Sequence, residues 1–145
     1  GGKKISKIVS YLVKKNIPVM GHIGYLPQKS KFFIAGKNKT EKKKLLNDAK
    51  SLEKAGAFSI VLECITSQVA KEITRTVKIP TIGIGSSKNC DGQILVIDDM
   101  IGLSGFYPRF VKKYSNIQKI IENSVKKYCS DVKNGKFPRA KNSYK

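Results

Sequence analysis

Apolar and polar positions recur along this chain with two different periods, and the switches between them mark out its elements. Ile5, Ile8, Val9, Leu12 and Val13 keep the three-and-four spacing of a helix face, with lysines on the other side. Asn16 ends that pattern, and Ile17-Pro18-Val19-Met20-Gly21 reads as a strand with proline at its start. A polar segment from His22 to Thr40 reads as a loop. Thr40 is placed to cap a helix that buries Leu45, Leu46, Ala49, Leu52 and Ala55 and stops at Gly56. Phe58 to Leu62 is a second strand, closing at Glu63, and Ser67 caps a helix whose face is Val69, Ala70, Ile73 and Val77. Ile79 to Ile84 and Ile94 to Ile97 read as the third and fourth strands. Helix is predicted again over Pro108–Tyr114 and Ile117–Lys133, the latter with Ile117, Ile120, Ile121, Val125, Tyr128 and Val132 on one face. The tail from Gly135 is polar and basic.

Strands alternating with helices imply parallel pairing through right-handed crossovers. Two architectures satisfy the order: an open doubly wound sheet, or part of a (β/α)8 barrel. In both, chemistry gathers at the carboxyl ends of the strands. No internal repeat or linker divides the chain, so residues 1–145 read as a single domain.

Composition changes this picture only in part. The chain has 145 residues and a net charge of +19, which invites a nucleic-acid reading. Its positive charge comes from 26 lysines and only three arginines, Arg75, Arg109 and Arg139, spread along the whole length. Arginine supplies the bidentate contacts that phosphate and base recognition favour, so a solvated basic surface explains the charge better. A basic α/β nucleic-acid-binding protein stays as the alternative. No apolar run approaches the roughly 20 residues that span a bilayer, and Ile8 to Val13 is too short for a secretory core and runs into Lys14 and Lys15. Cys64, Cys90 and Cys129 are odd in number and widely spaced, which suits a reducing cytoplasm and excludes a disulfide framework.

The strand ends carry the candidate chemistry. Glu63 closes an apolar strand, where a charge costs desolvation. It could pair with a lysine at a barrel rim, or serve as a catalytic base. His22 is the sole histidine and is flanked by glycines that allow close backbone approach; a structural and a functional role are both open. Gly83-Ile84-Gly85-Ser86-Ser87-Lys88 has two glycines of a dinucleotide fingerprint but not the third, and it is not a P-loop. A phosphate-binding loop near the last strands is a further possibility. Asp98 and Asp99 point to opposite sides and suit helix capping better than one metal site. Cys64 and Cys90 have no ligand partners in sequence and suit space filling.

Taken together, these motifs resemble a known family. Pro18-Val19-Met20-Gly21-His22-Ile23-Gly24-Tyr25-Leu26-Pro27-Gln28 is similar to the PVxGHxGxxPQ segment of ketopantoate hydroxymethyltransferase. Ala55-Gly56-Ala57 through Glu63-Cys64, Ile79 to Gly85, Asp91 to Val96 and Gly135-Lys136-Phe137-Pro138 match in order and spacing. Gly1-Gly2 resemble the end of the family's Lys-Ile-Glu-Gly-Gly segment. The resemblance therefore implies the C-terminal half, strands five to eight, of a (β/α)8 TIM-type barrel with parallel strands. It implies one-carbon transfer from 5,10-methylenetetrahydrofolate to 3-methyl-2-oxobutanoate, giving 2-dehydropantoate for pantothenate and coenzyme A. It also implies a Mg2+-dependent, cytoplasmic homo-oligomer whose metal ligands all precede residue 1, so this chain alone is expected to hold no metal and to be inactive. Glu63 falls on the family's proton acceptor, and His22, Gly83, Gly85 and Ser86 on substrate-binding positions. The Lys29–Lys39 loop is shorter and more basic than the family's glycine-bearing lid, and Asn142-Ser143-Tyr144 stands where His-Ser-Phe is usual.

Overall fold

Four strands, all parallel, lie side by side in the order in which the chain makes them. They are β1 (Met20–Gly24), β2 (Ser59–Glu63), β3 (Thr81–Ile84) and β4 (Gly92–Gln93). The structure is a computed structural model that describes residues 1–28 and 31–144. Lys29 and Ser30, within the segment expected as a loop, lie outside the described residues. The residues gather into two compact units, Gly1–Ile94 and Leu95–Lys145, although the sequence carries no linker between them.

In the first unit, a 3-10 turn (Lys3–Ile5) leads into α1 (Ser6–Lys14), and α2 (Lys39–Lys54) and α3 (Ser67–Thr76) form the crossovers. α2 packs on α3 and on the first two strands. Sequential strand order with both crossover helices on one face is what part of a (β/α)8 barrel has, whereas a doubly wound sheet reverses its order and puts helices on both faces. The core lies between sheet and helices: Ile23, Ile60 and Leu62 meet Leu45, Ala49, Leu52, Val69, Ala70 and Ile73. Because side chains alternate along a strand, Met20, His22, Val61, Glu63 and Ile82 share the opposite face. Met20 is 47 % exposed there.

Several boundaries move from their expected places. β1 starts at Met20 because the pairing with β2 begins at Met20 and Ser59, beyond Pro18, which has no N–H to give. The strand then continues through His22 to Gly24, so these two residues belong to the sheet and not to the loop. α2 is capped by Asn38 instead of Thr40: the Asn38 side chain accepts from the Glu41 amide, and the Glu41 carboxylate accepts from Asn38 Nδ2 and from the amides of Gly36 and Lys37. Those backbone bonds hold the Glu41 carboxyl below its ordinary range. At α3, Thr66 takes the N-cap position, and Ser67 instead donates its hydroxyl to the Ser86 carbonyl.

The fourth strand is only Gly92–Gln93, paired with Ile82 and Gly83. Within the second unit, Val96 is an N-cap and Ile97–Ile101 is a short helix, α4, with Asp98 and Asp99 in its first turn. An acidic first turn is favourable at the positive end of a helix, which outweighs the β-propensity of the Ile94–Ile97 run. Pro108–Tyr114 is no helix; its Val111 amide closes a single turn onto Pro108. Ile117–Lys133 forms α5 as expected, capped by Asn116, and none of its residues is fully buried. No helix among the described residues is long and apolar enough to cross a membrane.

Candidate functional site

Register decides which strand-end residues meet. Gly24 lies beside Glu63 and His22 beside Val61, so the His22 and Glu63 side chains rise from the same face of adjacent strands. His22 Nε2 stands 2.9 Å from Glu63 Oε2, with the imidazole about one-third exposed and the carboxylate side chain largely covered. The approach is close but off-line: Nε2 is buried and makes no well-aligned hydrogen bond. A protonated imidazole at this distance forms an ion pair with the carboxylate. A neutral one leaves a buried nitrogen seeking a partner, which a substrate oxygen or a water can provide.

The backbone holds this pair in place. Gly24 adopts φ +97°, turning the chain so that the Tyr25 amide donates to the Glu63 carbonyl at 2.9 Å. Directly after Glu63, Cys64 adopts a left-handed φ of +50°, unusual for a residue with a side chain. Its amide donates to the Ile84 carbonyl and its carbonyl accepts from Ala35. Glu63 is thus gripped from β1 and followed by a bend tied to β3 and to the segment that leads into α2. Burial, and then the neighbouring Glu63 charge, push the Cys64 thiol up to about 11. Cys64 and Cys90 are buried and pack as space-filling groups, while Cys129 is exposed.

The β3 end contributes differently. A Cβ on Gly83 would stand 2.8 Å from the Gln93 side-chain nitrogen and 3.1 Å from Cys90 Sγ, so Gly83 faces away from the His22–Glu63 side. Gly85 has φ +61°. The Ser86 hydroxyl donates to the Leu62 carbonyl at 2.7 Å and accepts from the Ile65 amide at 3.1 Å. It staples the β3 loop to the last turn of β2, one residue on either side of the Glu63–Cys64 bend. Sequence reasoning had no means of finding the Cys64 conformation, the Tyr25 amide contact or the Ser86 staple, since each depends on which backbone atoms adjacent strands bring together.

Among the described residues, no group of three or more His, Cys, Asp or Glu side chains is placed to hold a metal ion. The described residues do not by themselves assemble a Mg2+ site.

Sequential parallel strands with an imidazole–carboxylate pair on adjacent strands define the class: a parallel α/β protein. Comparison with known proteins narrows it. The family model for ketopantoate hydroxymethyltransferase matches residues 1–140, and the chain belongs to that family. It is 57 % identical over 145 residues to a 3-methyl-2-oxobutanoate hydroxymethyltransferase of Pelagibacter ubique, covering 99 % of this chain and 56 % of that protein. Enzymes of the same name from Clostridium botulinum (strain Langeland) and Helicobacter pylori (strain Shi470) are 49 % and 50 % identical, over 100 % and 99 % of this chain and 54 % and 55 % of theirs. The chain spans about half the length of the curated relatives it matches.

Proposed function

We propose that the protein to which this chain contributes transfers a one-carbon unit from 5,10-methylenetetrahydrofolate to 3-methyl-2-oxobutanoate. The product is 2-dehydropantoate, a precursor for pantothenate synthesis. The reading is supported by the family membership and carried by one observation: the 2.9 Å approach of His22 and Glu63 at the carboxyl ends of adjacent strands. Glu63 is the base. It takes the C3 proton of the oxo acid, and the electron pair left on carbon becomes the enolate that bonds to the donor's methylene carbon. A water supplies the oxygen of the new hydroxymethyl group as tetrahydrofolate departs.

His22, beside the carboxylate, orients it and presents Nε2 for a proton to pass through or for a substrate oxygen to bind. Gly24, Gly85 and Ser86 supply backbone and loop shape around the oxo acid, and Gly83 supports that loop from the other side of β3. Mg2+ is proposed as the metal of the whole protein, held by residues outside this chain, and the 145-residue chain by itself is inactive.

The test is exchange of the C3 proton of 3-methyl-2-oxobutanoate with deuterium from solvent, which needs no folate. In the full-length protein, Glu63→Gln keeps shape but removes the base, and exchange falls about 10²–10⁴-fold. Oxo-acid binding persists. Exchange by the variant at the parent rate overturns the assignment, because a carboxylate that only pairs at a rim would cost stability and leave the rate per folded molecule intact.

A further inference from the structure

A single hydroxyl spans the Glu63–Cys64 bend. Ser86 Oγ donates to the Leu62 carbonyl at 2.7 Å and accepts from the Ile65 amide at 3.1 Å, reaching one residue before Glu63 and one after Cys64. Both partners lie where water does not reach, Leu62 being 0 % and Ile65 1 % exposed. Buried backbone groups of this kind have to find their partners inside the protein. Between them Cys64 keeps its left-handed φ of +50°, which a side chain makes unfavourable. A bend of that sort persists only where its surroundings hold it.

The clamp is itself anchored. Gly85, at φ +61°, turns the chain at the end of β3, and the Ser86 carbonyl accepts from the Ser67 hydroxyl at the start of α3 at 3.1 Å. The Ser86 proton is spent on Leu62, so the hydroxyl has none left to donate to an oxo acid. A hydroxyl both gives and takes a hydrogen bond, which is what the two flanking backbone groups require, and alanine at this position does neither.

We propose that Ser86 is a positioning residue: its hydroxyl holds the left-handed bend at Cys64 and so fixes the direction from which the Glu63 carboxylate meets the C3 hydrogen. This rests on Glu63 being the base and adds what aims it. With the clamp gone, Cys64 relaxes toward ordinary backbone angles and carries the adjoining Glu63 off its line of approach.

The test is C3 exchange in the full-length protein at rising oxo-acid concentration, read per folded molecule, with circular dichroism counting the folded fraction. Ser86→Ala lowers the saturated exchange rate about ten- to a hundredfold. The half-saturating oxo-acid concentration stays within about twofold, because the hydroxyl does not touch substrate. Ser86→Cys fills the same place with a weaker donor and acceptor; its rate falls between those of the parent and Ser86→Ala, and it carries the test if Ser86→Ala does not fold. Adding Cys64→Gly to either variant recovers most of the lost rate, since glycine takes the left-handed bend without a clamp. A serine that only stabilised the fold would change the melting temperature and leave the rate per folded molecule unmoved. Parent-like exchange by the Ser86 variants, a loss confined to the half-saturating concentration, or no recovery with Cys64→Gly would each overturn the assignment. Glu63→Gln run alongside separates the two proposals. Exchange by Glu63→Gln at the parent rate defeats the base and this inference with it, whereas a slow Glu63→Gln beside a parent-like Ser86→Ala defeats the positioning role alone.

Discussion

A Cβ on Gly24 would stand 2.1 Å from the Glu63 carbonyl oxygen, and the φ of +97° at that position is strained for any residue with a side chain. Gly24→Ala therefore has to break the Tyr25–Glu63 contact or distort β2, and a loss of about 2 kcal/mol or more in denaturant unfolding is expected. Cys64 gives a second residue-scale expectation. With its thiol pushed up to about 11 and the side chain buried, almost none of it is thiolate near neutral pH. Iodoacetamide at pH 7.5 should label the exposed Cys129 and spare Cys64 until the chain unfolds, as peptide mass spectrometry would read. A third concerns Asp91, which accepts from the amide and hydroxyl of buried Thr81 at 2.8 and 2.9 Å. These bonds lower its carboxyl relative to the unfolded chain. A depressed folded-state value means stability that is fully present above the unfolded carboxylate range and is lost as pH falls through the folded one. Parent and Asp91→Asn should thus differ in unfolding midpoint at pH 6, the parent being the more stable, and converge in strong acid.

At the scale of elements, the cap of α2 is decided by contact geometry. Asn38→Ala should cost about 1 kcal/mol, whereas Thr40→Ala should cost little, because only Asn38 meets the Glu41 amide. Thermal melts of the two variants check this directly. Both residues are good caps by type, so the sequence alone offered no choice between them. Elsewhere the hydrophobic period served well: β2, α3 and α5 stand within a residue or so of their expected bounds, since each has a long run or stripe bracketed by polar breaks. The period failed where tertiary pairing overrides it. Ile94 to Ile97 has strand composition, yet Val96 caps a helix and Ile97 begins it, and the sheet takes Gly92 and Gln93 instead. Of the site, the two residue types at the strand ends were legible. Their contact was not, because it depends on β1 being three residues further along than its apolar run suggested.

The first unit presents one sheet face to its helices and leaves Met20, His22, Val61 and Ile82 on the other. Parallel sheets are ordinarily covered on both faces, and β1 and β4 are both edge strands. The 145-residue chain is accordingly expected to self-associate, and sedimentation velocity showing a monomer across a hundredfold concentration range would contradict this. Its start bears on the site. Gly2 is buried, a Cβ there would stand 2.5 Å from the Asp48 carboxylate carbon, and a Cβ on Gly1 would lie 2.2 Å from the His22 carbonyl oxygen. Gly1 therefore lies against the backbone of β1 at His22. A bulky group placed against Gly1 would press on the β1 backbone at His22, so the His22–Glu63 approach is sensitive to how the segment at Gly1 packs.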